Sequence, residues 1–181
     1  MPMAAAWVCS SVVAAAAPRI EAHKPQLAAG ADDAAIMAVR QTTRGMTSAT
    51  VDRSQSFRIV DRGRHVATLV AGKGQAHDGM TMKCFMALVQ DGRTTLVPTI
   101  GSGNWEAETC GRALATGLIV SGDIVLIGIV YEAASPNTLV REPVVLRWNR
   151  RTRTLVPDEA LSQRASEKGA TTIAAMRRLL P

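Results

Sequence analysis

Aromatic residues are scarce in this chain of 181 residues and make up only 3% of it. Hydrophobic residues nevertheless reach 47%, with alanine prominent among them. The core must therefore be packed mainly from aliphatic side chains and methionine. A chain of this length is large enough to form one domain whose core needs neither a metal nor a dense set of disulfides.

Histidine and cysteine are also scarce, with three of each, and this limits the chemistry that the chain can carry. Cys84 and Cys110 lie far apart, and neither has a second Cys or His at ligand spacing, so we predict no metal site and no cofactor. His77 beside Asp78 could serve Ser102 as a catalytic base, but neighbours in sequence rarely present the geometry of a triad. Ser102 also lacks the Gly-x-Ser-x-Gly setting of a nucleophile elbow. We therefore assign no catalytic residue.

Two further motifs each have a functional and a structural interpretation. The glycine- and lysine-containing segment 71–77 lacks the full spacing of a phosphate-binding loop, and we interpret it as a connection between hairpins. Glu106 and Glu108 could act as paired acids in glycan hydrolysis, yet their surroundings are typical of a surface loop. A small periplasmic hydrolase that uses Ser102 or these two acids is therefore kept as an alternative hypothesis.

Charged side chains are absent from the first seventeen residues, MPMAAAWVCSSVVAAAA. This stretch has the length of a secretory apolar region and is short for a transmembrane helix. Ala14 and Ala16 provide the small residues that a signal peptidase requires, with cleavage before Ala17. An N-terminal helix of a cytoplasmic protein is the alternative, but such a helix normally has a polar face. We predict a signal peptide over residues 1–16, a linker over 17–30 and one β-rich domain over 31–181.

Export would place the protein in the periplasm or outside the cell, where cysteines pair. Removal of Cys9 with the signal peptide leaves Cys84 and Cys110, and we predict a disulfide between these two. Two free thiols are the alternative. The apolar run 117–133 is interrupted by residues 121–123 and is too short on either side to span a bilayer. We therefore do not expect an integral membrane protein.

Short β-branched runs separated by turn residues begin at Phe57 and continue almost to the C-terminus. The turns begin at residues 61, 91, 121 and 149, which is a nearly even spacing, and Asp91-Gly92 is a strong hairpin signal. We predict a mainly β fold of about eight antiparallel strands arranged as four hairpins. The polar residues 42–56 are predicted to form a loop or an irregular edge.

Short helices are predicted at both ends of the domain. Asp32 would cap the first of them, and Asp158 and Ser166 would cap two more in the C-terminal segment. There Ile173, Met176 and Leu180 share one helical stripe, which can cover an outer face of the sheets.

The tetrapeptide Thr-Leu-Val-Pro occurs twice, at residues 95–98 and 154–157. Each copy follows a polar turn, and the preceding hairpins also align when residues 57–98 are placed on residues 117–157. The domain is therefore either a pair of duplicated four-stranded units or a set of Val- and Leu-rich strands that match by chance.

Basic residues exceed acidic ones by 21 to 15, which gives a net charge of +6. Arg147, Arg151 and Arg153 alternate with the period of a strand near the last predicted hairpin, and Arg150 lies in its turn. We call these four residues the arginine ridge and predict that they bind a partner, with Trp148 on the opposite face. A binding ridge should be exposed and free of carboxylate partners. The alternative is an edge strand that its charges protect against aggregation.

These features together favour an exported bacterial binding module that acts on a macromolecular partner in the envelope, such as an inhibitor or an immunity-type protein. The partner would be another protein or an anionic envelope component, and nucleic acid is not expected outside the cell. A polyanion-binding module that uses the arginine ridge is a further alternative, which steep salt dependence would identify.

Overall fold

Nine antiparallel strands in two sheets, with three short α-helices, make up the computed structural model, which describes residues 25–76, 81–135 and 138–180. The mainly β prediction is confirmed. The first sheet has the order β1-β2-β3-β4-β5, with β1 (Gln26–Ala29), β2 (Met46–Asp61), β3 (Arg64–Ala76), β4 (Met82–Gln90) and β5 (Arg93–Pro98). The second has the order β6-β7-β8-β9, with β6 (Thr109–Val120), β7 (Ile124–Ser135), β8 (Thr138–Asn149) and β9 (Thr154–Pro157). The helices are α1 (Asp33–Thr42), α2 (Glu159–Glu167) and α3 (Ile173–Leu179).

The two sheets pack face to face around one aliphatic core. Leu69 and Met86 of the first sheet belong to the same buried cluster as Ile127, Val144 and Leu146 of the second. Because these positions alternate along each strand, the opposite face of each sheet also carries apolar side chains that need cover. The helices provide that cover on both sides.

Helix α1 covers the outer face of the first sheet, where its Val39 packs with Val70 and Phe85. On the outer face of the second sheet, Met176 of α3 belongs to a buried cluster with Val130 and Val145. The molecule therefore has four layers: helix, sheet, sheet and helices. The prediction that the C-terminal segment covers a sheet is confirmed. Among the described residues, no helix is long and apolar enough to cross a membrane.

Aspartates cap the helices at two of the three predicted positions. Asp32 accepts a hydrogen bond from Ala35 N at 2.7 Å, and Asp158 accepts one from Leu161 N at 3.2 Å, so both predicted caps are confirmed. Ser166 does not cap a helix, because it lies near the end of α2. The cap of α3 is Thr172, which follows a turn at Gly169.

One segment that was predicted to be a linker is a strand, and a second, predicted to be a loop or an irregular edge, is an irregular edge strand. Residues 26–29, assigned to the linker, form β1 and pair with the end of β2. Residues 46–56, assigned to a loop or irregular edge, are the first part of β2. Strand β1 reaches only residues 57–60 of β2, so residues 46–56 have no outer partner among the described strands. Their polar side chains suit this exposed edge. A bulge between Asp52 and Phe57 interrupts it, and the Asp52 carboxylate accepts hydrogen bonds from Ser54 and Gln55.

The two Thr-Leu-Val-Pro copies occupy equivalent places. Strands β2–β5 and β6–β9 are both antiparallel meanders of four strands, and the tetrapeptide ends the last strand of each. The chain thus uses the same arrangement of strands in both sheets, and the four predicted hairpin turns connect β2 to β3, β4 to β5, β6 to β7 and β8 to β9.

Candidate functional site

The four hairpin turns predicted from the sequence meet at one end of the sandwich. We call this end the turn rim and define it by residues 61–64, 90–93, 121–124 and 149–154. Two of the turns have only two residues between their strands, Arg62-Gly63 and Asp91-Gly92. All four of those residues have positive φ, for example 49° at Asp91 and 74° at Gly92, which is the geometry of a tight hairpin turn that matches strand twist.

Every residue of the arginine ridge forms an ion pair with an aspartate of the same chain. Arg150 pairs with Asp61 and Arg147 with Asp158. The remaining two pairs are Arg151–Asp123 at 3.0 Å and Arg153–Asp91 at 3.3 Å.

The expectation that these arginines lack carboxylate partners is therefore wrong. The physical reason is that the other three hairpins of the turn rim each contribute an aspartate, Asp61 and Asp91 from the facing sheet and Asp123 from the same sheet. The fourth partner, Asp158, follows β9 and caps α2 beside Arg147. The ridge is a set of paired charges rather than a positive surface. Its role in binding stays a prediction. Trp148 lies on the opposite face of β8, as expected, and is fully buried between the sheets.

A polar pocket of about 470 Å³ opens at the turn rim. Residues of all four turns line it, among them Asp61, Gln90, Asp123 and Arg150, and Trp148 forms part of its wall. Three buried polar atoms in this lining have no hydrogen-bond partner among the described residues: Asp61 Oδ1, Gln90 Oε1 and Trp148 Nε1. Buried polar atoms are nearly always hydrogen-bonded in folded proteins. In this conformation the three atoms are closed off from solvent, so they lie behind the pocket wall and not on its open surface.

A second groove, of about 300 Å³, continues from Gln90 toward the turn between β8 and β9. It is rich in hydroxyl groups, since Thr94, Thr95, Thr152 and Thr154 all line it. Arg153 of the arginine ridge is part of the same lining. The turn rim is therefore a concave polar surface extending over both sheets, and three of the four predicted ridge residues border its pockets.

Cys84 and Cys110 form a disulfide, as predicted, with a Cα–Cα distance of 5.2 Å. The bond joins β4 of the first sheet to β6 of the second, and both cysteines are buried. A pocket of about 430 Å³ lies beside it. Lys73 and Arg112 line this pocket. From the sequence, Lys73 was considered only as part of an incomplete phosphate-binding loop, and Arg112 was not identified. Lys73 lies in the middle of β3, so the interpretation of residues 71–77 as a connection between hairpins is wrong for 71–76.

The structure places Glu108 beside Glu142 of β8 rather than beside Glu106, which is exposed. Trp105 Nε1 donates to Glu142 Oε1 at 3.3 Å, and Ser166 Oγ donates to Glu142 Oε2 at 3.2 Å. Burial raises the pKa of Glu142. Burial, followed by the charge of Glu142, raises the pKa of Glu108. Neither carboxylate lines any of the pockets described above, so a substrate bound in one of those pockets would not contact the pair.

The other residues considered for catalysis do not come together in the described part of the chain. Ser102 begins a short 3-10 helix, Gly103–Trp105, and the N–H of Trp105 donates to its carbonyl group. His77 and Asp78, its suggested partners, lie outside the described residues. Within those residues, no cluster of His, Cys, Asp and Glu has the geometry to hold a metal ion.

Comparisons with known proteins do not assign the chain to a family. No protein-family model matches it, and no curated protein and no solved structure matches it significantly. Since a fold by itself does not define an activity, the function has to be argued from the sites.

Proposed function

We propose that the protein is an exported bacterial binding module that acts on a macromolecular partner in the envelope, as inhibitors and immunity-type proteins do. The turn rim is the proposed contact surface. The observation that carries this proposal is its polar pocket of about 470 Å³, which is lined by side chains of both charges, among them Asp61, Asp123 and Arg151. A partner that places polar groups in the pocket would pair with these side chains, and polar groups contribute strongly to specificity when they are satisfied in a buried interface.

The charges around the pocket support a protein as the partner. Arginines and aspartates alternate there, and the pairs Arg151–Asp123 and Arg153–Asp91 are both largely exposed. Exposed pairs contribute little to folding, so they can exchange their internal partners for those of another protein. Such a mixed surface gives specificity through complementary charge. A polyanion would instead meet the carboxylates as well as the arginines, and the polyanion hypothesis loses its main support for this reason.

Site-specific photo-crosslinking in the native envelope tests the proposal. We would place a benzoylphenylalanine at Arg151, whose side chain is 82% exposed, and a control probe at Met37 on α1, which is 60% exposed and lies outside the turn rim. The expected result is a discrete protein adduct from position 151 that position 37 does not give.

A second substitution connects the adduct to the pocket. Gln90→Leu removes one of the unpartnered polar atoms while keeping the bulk of the side chain, and it should reduce the yield of the adduct from position 151. An adduct that forms equally from both probe positions, or one that Gln90→Leu leaves unchanged, would count against the turn rim as the contact surface.

A further inference from the structure

Lys73 is a half-buried cation without an anionic partner in the described part of the chain. Its Nζ donates to the carbonyl oxygen of Gly111 at 2.8 Å, and no carboxylate of the described residues forms an ion pair with it. The four residues of the arginine ridge each have such a carboxylate. Charges that are withdrawn from water are normally paired, so the ammonium group of Lys73 is available to an anion from outside the described chain.

Close packing of the two sheets holds Lys73 in this position. Strand β6 approaches β7 so closely at Gly111 that an added Cβ there would lie 2.7 Å from the carbonyl oxygen of Glu132. A residue with a Cβ would not fit at position 111. Glycine therefore allows the backbone to take the position in which the Gly111 carbonyl oxygen accepts the hydrogen bond from Lys73 Nζ. Lys73 is also directly opposite Cys84 in the ladder between β3 and β4, and the Cys84–Cys110 disulfide fixes β6 to β4 at this point.

The pocket beside the disulfide has a positive lining around Lys73. Arg112 borders it with a side chain that is 65% exposed and reaches its only described carboxylate, Glu132, at the long distance of 3.4 Å. The acidic residue in the lining is Asp52, and its carboxylate already accepts hydrogen bonds within the bulge of β2. Arg53 also borders the pocket, but its guanidinium already pairs with Asp33 at 2.8 Å. Lys73 and Arg112 are therefore the groups that can most readily receive an anion here.

The rest of the lining indicates what kind of anion would fit. Val51, Ala113 and the disulfide contribute apolar surface to the pocket, and its volume of about 430 Å³ lies within the usual range for ligand sites. One unpaired ammonium group calls for one negative charge. A singly charged anion with an apolar body matches this lining better than a phosphate group, whose higher charge would require more donors.

We propose that the pocket beside the Cys84–Cys110 disulfide is a second binding site, separate from the turn rim, and that it binds a carboxylate carried on an apolar chain. Lys73 pairs with the carboxylate, and Arg112 at the mouth of the pocket donates a second charged hydrogen bond. The carboxylate belongs either to a small organic acid or to an acidic side chain of a protein. The carboxylate group is the same in both cases, and the two ligands differ in the molecule that carries it.

Titration of the ¹⁵N-labelled, disulfide-bonded protein by NMR separates the two sources. The probes are hexanoate, a glutamate-containing peptide with blocked ends, and inorganic phosphate. We expect saturable shifts of the amides of Gly72, Lys73 and Arg112 with at least one of the two carboxylates, and none at Asp91 or Gly92 of the turn rim. Binding of hexanoate alone identifies a small acid as the ligand, and binding of the peptide alone identifies a protein side chain.

Substitutions then test the role of the ammonium group. Lys73→Met should weaken binding of the carboxylate by about ten-fold or more, since a charge-assisted hydrogen bond is lost. Lys73→Arg keeps the charge and should restore most of the affinity. The matched control is Lys168→Met, because Lys168 ends α2 on the outer face of the second sheet and should not affect binding.

Several results would overturn the proposal. These are the absence of saturable shifts with both carboxylates, tighter binding of phosphate than of either carboxylate, and unchanged affinity in Lys73→Met. If Lys73→Met does not fold, Arg112→Gln replaces it, since Arg112 is largely exposed, and this variant should weaken binding by a factor of about three. Unchanged affinity in Arg112→Gln would then be the contradicting result. None of these outcomes affects the crosslinks at the turn rim.

Discussion

Arg150 and Asp61 form an ion pair that joins the two sheets of the sandwich. The residues are 89 positions apart in sequence, one in the turn between β8 and β9 and the other at the end of β2. Only 29% of the Arg150 side chain and 14% of the Asp61 side chain are exposed. The neighbouring pair, Arg151–Asp123, lies within the second sheet and is 82% exposed on both sides. Two adjacent arginines thus form ion pairs of the same kind in very different surroundings.

This difference predicts different effects on stability. Arg150→Ala leaves the Asp61 carboxylate largely buried without its cation, and we expect the free energy of unfolding to fall by about 1–3 kcal/mol. Arg151→Ala removes a pair that water already screens, and it should change the free energy of unfolding by less than about 0.5 kcal/mol. Urea unfolding of both variants, with the disulfide intact, measures the two values. Equal effects would show that the pair between the sheets has no special role.

The disulfide is expected to stabilise the domain mainly by restricting the unfolded chain. Cys84 and Cys110 are separated by 26 residues, and closing a loop of this size contributes about 3 kcal/mol in the chain-entropy model. Replacing both cysteines by alanine should lower the free energy of unfolding by about that amount. Guanidinium unfolding of the variant and of the oxidised protein provides the comparison. A loss close to zero would mean that strain in the folded state offsets the entropic gain.

Local features of the fold could be predicted from the sequence because they depend on neighbouring residues. Asp91-Gly92 tolerates positive φ at both positions, so it specifies a tight hairpin turn without help from residues elsewhere in the fold. The cap at Asp32 likewise requires only the three residues that follow it. For residues 46–56 a loop and an irregular edge could not be distinguished, because an edge strand with a bulge has the polar composition of a loop. Their hydrophobic periodicity is lost, since one edge of β2 has no strand beside it there.

The sites depend on contacts that no local pattern encodes. The arginine ridge was recognised as a cluster from the sequence. Its pairing with aspartates could not be predicted, because nothing in the sequence shows that the turns at residues 61, 91 and 121 lie at the same end of the sandwich. Glu142 is surrounded by strand residues, and only the packing of its strand against the loop after Trp105 brings it to Glu108. Lys73 was considered only as part of an incomplete phosphate-binding loop, because its glycine-rich surroundings are typical of a connection, and nothing nearby in the sequence indicates the approach of Gly111.

The location of the protein is a separate prediction from its sequence. A signal peptide over residues 1–16 would give a mature chain that begins at Ala17. N-terminal sequencing of the protein from its native host, after fractionation of the envelope, should find this terminus outside the cytoplasm. Recovery of intact Met1 from the cytosol would contradict the prediction. It would also remove the oxidising environment on which the disulfide depends.

The neighbouring carboxylates of Glu108 and Glu142 make the stability of the fold dependent on pH. Burial raises the pKa of both groups, so the folded protein retains protons that the unfolded chain has released. Stability then decreases as the pH rises above about 4.3, the ordinary pKa of glutamic acid, and levels off once the folded groups have ionised. Asp32 acts in the opposite direction, because a hydrogen bond from the backbone N–H of Ala35 lowers its pKa.

Glu108→Gln isolates the contribution of the pair. The substitution keeps the shape of the protonated side chain and removes the charge beside Glu142, while Asp32 is unchanged and contributes equally to both proteins. We expect the variant and the parent to have similar free energies of unfolding at pH 4, and the variant to become progressively more stable than the parent between pH 4 and pH 7. Urea unfolding across this range measures the difference. Glu106→Gln, at an exposed position in the same loop, is the matched control and should give a difference that does not change with pH. The same trend in both variants would trace the pH dependence to net charge instead of to the contact between Glu108 and Glu142.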